Sequence, residues 1–370
     1  MRSLVAPSMR KISLPFVHSA LFSCALITCL AGATGCSPKV ESEVVLRSTV
    51  DQEVAAPILA AFHRSEQKQI QPRATFGSAK TTSAEFVSSL ESSQADDADD
   101  DDRGDVIWTD NMLLMIELQR GGLLQSHAWK VDPGFPTDMR ADDKSWCGFA
   151  AVARVLIVNT ERLPDPNAYP NSIEDLADPR WNQRCAIASP VDSQRRASAN
   201  AAMHAALIGH AKGIEGATDW FSKVAQNAVV MSTNSEVATA VAAGKVDWGL
   251  TDSSDAVVER DAGNPVAIIF PDQATHQAGA IRIPHAVAVL KNPKHPIAAT
   301  RLADYLVLPS TEDRLAMSDA SQIPLSRTAT FRARVLADSP VRWANIDMVA
   351  AERTWQVLEP VLVKIFADAP

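Results

Sequence analysis

What the sequence lacks narrows its chemistry at once. Its five cysteines include no CxxC pair, too few and too scattered for a zinc finger or a disulfide scaffold. No GxSxG, HExxH, GxxxxGK[ST] or GxGxxG occurs, so hydrolase, zincin, P-loop and dinucleotide sites have no visible constellation. The eight histidines are dispersed; His204 and His210 share one expected helix but lie six apart, off a common face. Basic residues are outnumbered, 35 against 44 acidic, and a net charge of −9 excludes a broad basic face for nucleic acid. No apolar run reaches the roughly 18 to 20 residues that span a bilayer. Glycine (15) and proline (22) are too sparse for collagen-like or low-complexity chains, and 46% hydrophobic residues supply a core. At about 150 residues per domain, 370 residues allow two domains.

What is present begins with an address. Arg2, Arg10 and Lys11 precede an apolar stretch over 16–31, which ends in Ala33, Thr34, Gly35 and Cys36. This resembles a bacterial lipoprotein signal, with small residues for the peptidase and a cysteine thiol for the lipid; Ala33 stands where leucine is usual. The expectation is a signal over 1–35, lipidation of Cys36, and a tether over 36–43. Removing 1–35 strips three basic residues and no acid, so the remainder is more acidic still. In an oxidising compartment the remaining cysteines, Cys147 and Cys185, form one disulfide or stay as two buried thiols; the disulfide is the expectation carried forward.

The patterning predicts an α/β protein. Strands are expected over 44–50, 69–76 and 105–108, separated by helices over 52–66 and 80–91 and followed by one over 111–120. Asp51 stands where it caps the first helix. A longer strand over 149–159 follows, and the rhythm restarts: strands over 185–189, 228–232, 246–251, 267–270 and 285–290, helices over 197–207, 214–226, 235–243 and 297–307. The restart implies two α/β lobes of mostly parallel sheet flanked by helices. The expected division is 44–150 for lobe one, 151–250 for lobe two and 251–310 as a return to lobe one. A helical segment over 311–370 has no assigned lobe. The acidic run Asp96, Asp97, Asp99 to Asp102 lacks the glycine and glutamate of a calcium loop and reads as a solvated insertion.

Six segments carry a resemblance in their order and spacing: VVLRSTVDQEVAAPILAAFHRSEQ, DVIWTDN, GFAAVARVLIVNT, LADPRW, VDWGLTDSSDA and IPHAVAVLKNPKHPIAATRLADYLVLPS. Together they resemble extracellular solute-binding proteins of bacterial ABC importers, in the ferric-iron, thiamine and aminoethylphosphonate group. The resemblance implies a class II periplasmic-binding-protein fold, with a ligand cleft between lobes joined by crossover strands. It also implies hinge closure on a small solute, delivery to an ABC importer permease, no catalysis and a periplasmic location. Membrane contact is then through the lipid anchor alone, the state monomeric, and no cofactor is needed, Fe3+ being a transported ligand. The alternative is a secreted sensor or enzyme domain on the same fold.

In such sheets ligands sit at the carboxyl ends of strands and at helix N-termini. Those positions give Ser48, Thr49, Ser78, Lys80, Thr81, Asp110 and Asn111 from lobe one. Lobe two and the crossing segment give Ser189, Arg195, Asn234, Ser235, Asp252, Ser253 and Asp255. Each singly is equally a helix cap; the collection suits a polar, anionic ligand. Arg154, within an apolar strand, either clamps an anion or pairs with a structural carboxylate. Iron binders of this group commonly use paired tyrosines, yet this chain has two tyrosines, Tyr169 in a loop and Tyr305 in a helix. A tyrosinate site is therefore disfavoured. The expected ligand is an oxyanion such as a phosphonate, or ferric iron with an accompanying anion, His276 and His285 being the candidate metal ligands.

Overall fold

A computed structural model describes residues 42–77, 83–93, 104–191, 195–336 and 340–367; of residues 42, 83, 84, 93 and 195–199 it describes the backbone only. Cys36, Ser78, Lys80, Thr81 and the acidic run lie outside the described residues, as does the side chain of Arg195.

The first lobe is built on β1 (Ser42–Ser48), β2 (Ile70–Phe76) and β3 (Val106–Thr109), with β1 pairing in parallel with both others. Helices α1 (Gln52–Ser65), α2 (Ser83–Ser93) and α3 (Met112–Arg120) connect and flank them. In α1, Ile58, Leu59 and Phe62 share one face and pack into the first core, as their spacing predicts.

The long strand β4 (Trp146–Asn159) joins the lobes. Its first half pairs antiparallel with β9 (Arg282–Val289), which itself pairs with β3; its second half pairs with β7 (Trp248–Asp252) and β8 (Val266–Ile269). Beyond β7, strands β5 (Cys185–Ala188) and β6 (Val229–Met231) continue in parallel. The path β2-β1-β3-β9-β4-β7-β5-β6 is one sheet on which two hydrophobic regions have condensed. Every residue of β4 is buried, because helices cover it in both lobes.

The second lobe has a core on each face of its sheet. One holds α4 (Arg195–Asn227) and α9 (Met348–Ala367), where Trp355, Leu358, Leu362 and Phe366 recur along the buried stripe. The other holds α5 (Asn234–Ala242) and α6 (Ser253–Asp261). The two helices expected over 197–207 and 214–226 are continuous across the junction apart from a non-helical residue, Gly213, at φ +75°. Helix α6 was not foreseen. It and β8 pack with the second core, so the chain returns to the first lobe near Ile281, not near residue 251. Helices α7 (Pro296–Leu306) and α8 (Pro309–Met317) complete the first lobe.

Where β4 changes partners, its register against β9 shifts between Phe149 and Ala151, and Ala150 takes a left-handed φ of +39°. Buried Glu312 on α8 braces this point. Its carboxylate accepts from the backbone N–H of Ala150 at 2.7 Å, Leu325 at 2.9 Å and Ser326 at 2.8 Å. Burial pushes its pKa up, against the lowering effect of those three donors.

Cys147 and Cys185 are both free and buried, which corrects the expected disulfide. The reason is topological: Cys147 starts β4 in the first core, whereas Cys185 starts β5 in the second. Burial pushes each thiol up to about 12, so both are protonated and unreactive.

Candidate functional site

A cavity of about 230 Å3 opens where the two lobes face each other at the strand ends. The first lobe contributes Asp51 and Val54 at the start of α1, Asp110 after β3, and His285 on β9. Asn200 on α4, with Ser254 and Asp255 at the start of α6, comes from the second. The segment after α8 adds Asp319 and Gln322. Both lobes thus supply polar side chains to one space, the arrangement expected of a ligand cleft.

The placements test each residue. Asp110 and Asp255 line the cavity, and Thr49 donates through Oγ1 to Asp110 Oδ1 at 3.0 Å. Asp51 occupies the N-cap position of α1 without making a capping hydrogen bond, and its carboxylate belongs to the cavity wall instead. Other candidates prove structural. Ser48 donates to the carbonyl of Trp108; Asn111 caps α3 through the N–H groups of Leu113 and Leu114; Ser253 accepts from the N–H of Ala153. Ser189 accepts from the N–H of Val191 in the loop after β5, and Ser235 is exposed on α5.

Arg154 does not reach the cleft. It is buried and paired with buried Asp252, Nη1 to Oδ1 at 2.6 Å, and donates to Asn234 Oδ1 at 3.0 Å. Asn234 and Asn200 both donate to the same Asp252 carboxylate, at 3.1 Å and 3.2 Å. Of the two readings of Arg154, the structural carboxylate is the one realised, and Asp252 and Asn234 are consumed by it. Arg154, Asn200 and Asn234 also line a smaller chamber of about 30 Å3, with His204 and Trp220. His204 is wholly enclosed and neither ring nitrogen has a partner; burial and, secondarily, the Arg154 charge lower its pKa to about 3.

The metal candidates are also corrected. His276 is exposed in a turn and does not line the cleft. His285 does, but Trp108 engages one ring nitrogen at 3.0 Å and Gln322 the other at 3.0 Å, so neither lone pair is open to a metal. Tyr305 packs edge-on against Phe62 and Tyr169 packs at the second core, both away from the cavity. Among the described residues no three His, Cys, Asp or Glu side chains already converge to hold a metal ion.

The sequence reading passed over Asn200, Asp319 and Gln322, and gave Asp51 both as a cap and as a strand-end ligand position. Asn200 sits inside a helix and Gln322 in an irregular segment; neither position carries a local signal. The electrostatic outcome differs from the expectation. The lining includes four carboxylates, Asp51, Asp110, Asp255 and Asp319, and among the described residues no lysine or arginine. Carboxylate oxygens are hard donors for a cation, and Asp110 and Asp255 also engage other groups of the protein.

Comparison with known proteins places this arrangement. The chain is 31% identical over 145 residues to an Fe(3+)-binding periplasmic protein of Serratia marcescens, covering 39% of this chain and 38% of that one. It is 24% identical over 216 residues to iron uptake protein A2 of Synechocystis, covering 55% and 60%. The matched stretches therefore span less than two thirds of these relatives. Solved structures share the fold. Trichodesmium IdiA (FutA), in complex with iron and citrate ligands, has a TM-score of 0.71 at 19% identity, covering 88% of this chain and 99% of that one. The apo ferric ion-binding protein A of Pasteurella haemolytica has a TM-score of 0.73 at 18% identity, with 89% and 98% covered. AfuA of Actinobacillus pleuropneumoniae, with fructose-6-phosphate bound, has 0.70 at 16%, with 89% and 100% covered. All share the two-lobed architecture found here. Residues 104–351 match the family of bacterial extracellular solute-binding proteins, and the chain belongs to that family, whose members are extracytoplasmic transport proteins rather than enzymes.

Proposed function

We propose that the protein captures a cationic solute, with ferric iron as the leading cargo, by closure of its two lobes, and hands it to an ABC importer permease. The observation that carries this reading is the cavity whose four carboxylates come from both lobes. Carboxylate oxygens are hard donors suited to a highly charged hard cation. Because Asp51 and Asp110 belong to one lobe and Asp255 to the other, a cation that all three touch binds the closed form better than the open one. That difference in affinity is what drives closure. The relatives named as iron-binding proteins support the cargo. Neither Tyr169 nor Tyr305 lines the cavity, which supports an iron site built without phenolate. We further propose that Cys36 carries a lipid that anchors the protein outside the cytoplasm.

The test is calorimetry and thermal melting with ferric citrate and ferric nitrilotriacetate, set against phosphate, 2-aminoethylphosphonate and thiamine. The iron salts should raise the melting temperature, and Asp255→Asn should weaken their binding by about tenfold or more, the loss of one charged contact. Binding of phosphate or phosphonate alone, with no response to iron, would overturn the reading. For the anchor, Cys36→Ser should move the expressed protein from membranes to the soluble fraction; identical partitioning of mutant and parent refutes it.

A further inference from the structure

One buried side chain in the cleft wall has its polarity set by neighbours behind it. Trp108, at the centre of the first core, directs Nε1 to Nδ1 of buried His285 at 3.0 Å. An indole N–H can only donate, so Nδ1 must offer a bare lone pair. The ring is then neutral with its proton on Nε2. That nitrogen lies 3.0 Å from one end of the Gln322 amide. An N–H there is satisfied only if that end is the carbonyl oxygen. Nitrogen and oxygen of a glutamine amide are told apart by their partners rather than by their shape, and here the partner decides. The amide NH2 is consequently the other end, which lies buried where no donor of the protein reaches it. Gln322 is buried and lines the cleft cavity. A buried amide end without a partner is rare in folded proteins and is normally completed by water or ligand.

The opposite lobe shows the reverse case. Asn200 spends its NH2 on Asp252, and its Oδ1 is left without a partner at the same cavity. The cleft therefore combines carboxylates and an amide carbonyl, all acceptors, with one amide donor whose direction is locked from within the core.

We propose that Gln322 is a specificity-determining residue of the cleft: positioned by the Trp108–His285 pair, it directs its amide NH2 at an oxygen atom carried by the cargo. This rests on the cleft being the solute site. The cargo class that fits is a cation bearing its own oxygen shell, such as bound water, hydroxyl or chelator oxygens, rather than a bare ion. The shell accepts from Gln322, while its O–H groups or the positive charge meet the carboxylates. His285 is a positioning residue; it acts through Gln322 and does not touch the cargo.

Two measurements decide this. Nitrogen-15 NMR of the parent protein should show His285 as the Nε2–H tautomer with Nδ1 unprotonated, and Trp108→Phe, which removes the donor, should give a mixture of tautomers. A parent His285 protonated on Nδ1, or on both nitrogens, overturns the proposal whatever the cargo. Calorimetry with ferric citrate as probe then compares the parent with Gln322→Leu, which removes the outward NH2 without adding a charge or a ligand. Binding should weaken at least tenfold with the melting temperature little changed. Gln322→Ala, also lacking both ends, gives the same loss and serves if the leucine variant folds poorly. Unchanged affinity in either folded variant overturns the proposal. A parent that binds no ferric citrate refutes the iron cargo and the oxygen contact together, whereas the tautomer judges the orientation of Gln322 independently.

Discussion

Glu312 offers the sharpest stability test, because three hydrogen bonds depend on one buried carboxylate at the point where β4 passes between lobes. Its Oε1 accepts from Ala150 and Leu325 and its Oε2 from Ser326. Glu312→Gln leaves an oxygen for two of those donors but turns an NH2 toward the third N–H. One buried donor is then unsatisfied, at a cost of about 1–3 kcal/mol. Glu312→Ala strands all three donors and opens a void. With partial rescue by water we expect about 3–5 kcal/mol, a large part of a typical domain's stability. Urea unfolding followed by tryptophan fluorescence should show both midpoints falling, alanine further than glutamine. The pH dependence follows from the direction of the shift. The folded pKa lies above the unfolded one, so the native state binds the proton more tightly. The carboxyl therefore favours folding at low pH, and that advantage is lost as pH rises through the raised pKa. The parent should lose stability relative to Glu312→Gln across that interval. A glutamine variant as stable as the parent at every pH would refute the assignment of this carboxylate as the brace of Ala150.

Further outcomes follow from other buried groups. His204 has a folded pKa of about 3 against 6.5 for the free side chain, so the unfolded chain takes up the proton first as pH falls. The parent should lose several kcal/mol of stability between about pH 6.5 and pH 3 relative to His204→Phe, and parallel stability curves would refute the buried neutral imidazole. With thiols raised to about 12, neither Cys147 nor Cys185 should react with a thiol reagent in the native state, and both should react in urea. A native mass two hydrogens lighter, with no thiol released on unfolding, would show the disulfide instead. The acidic cleft predicts that association of a positively charged ferric aqua-hydroxo complex slows as salt rises, since surface fields are screened over about 10 Å at 0.1 M; an opposite salt trend contradicts the sign of the cleft.

The fold was legible because its signals are local. The nine strands among the described residues fall where strands were expected, and β4 was marked by its length and by an apolar run interrupted only by Arg154 between Phe149 and Val158. Gly244, just past the end of α5, takes a left-handed φ of +68°, the conformation in which helices commonly stop at glycine. What escaped were elements whose character comes from tertiary packing. Helix α6 begins at Ser253, Ser254 and Asp255, residues that looked like a ligand loop, and only the second core shows that Ala256 and Val257 turn inward. The lobe boundary was misplaced for the same reason: β7, α6 and β8 form one unit around the far half of β4, which no composition shift announces. The cysteines could not be paired or separated by spacing, since the question is which core each faces.

The site was half legible, and the errors share one cause. Strand ends and helix starts were the right places to look, and Asp110 and Asp255 were found there. Arg154 was legible only as two alternatives, an anion clamp or the partner of a structural carboxylate, and the fold shows the second. A guanidinium inside an apolar strand must be neutralised before the strand can be buried, and Asp252 across the β4–β7 register does this at 2.6 Å. With that pair consumed, the charged side chains among the described residues of the cavity lining are Asp51, Asp110, Asp255 and Asp319, of which Asp110 and Asp255 also engage other groups. A sequence lists charges but not cancellations, and the identity of the cargo depends on the charges left over. The same holds for hydrogen bonds: Gln322 and Asn200 become informative because His285 and Asp252 occupy one end of each amide and leave the other to the solute.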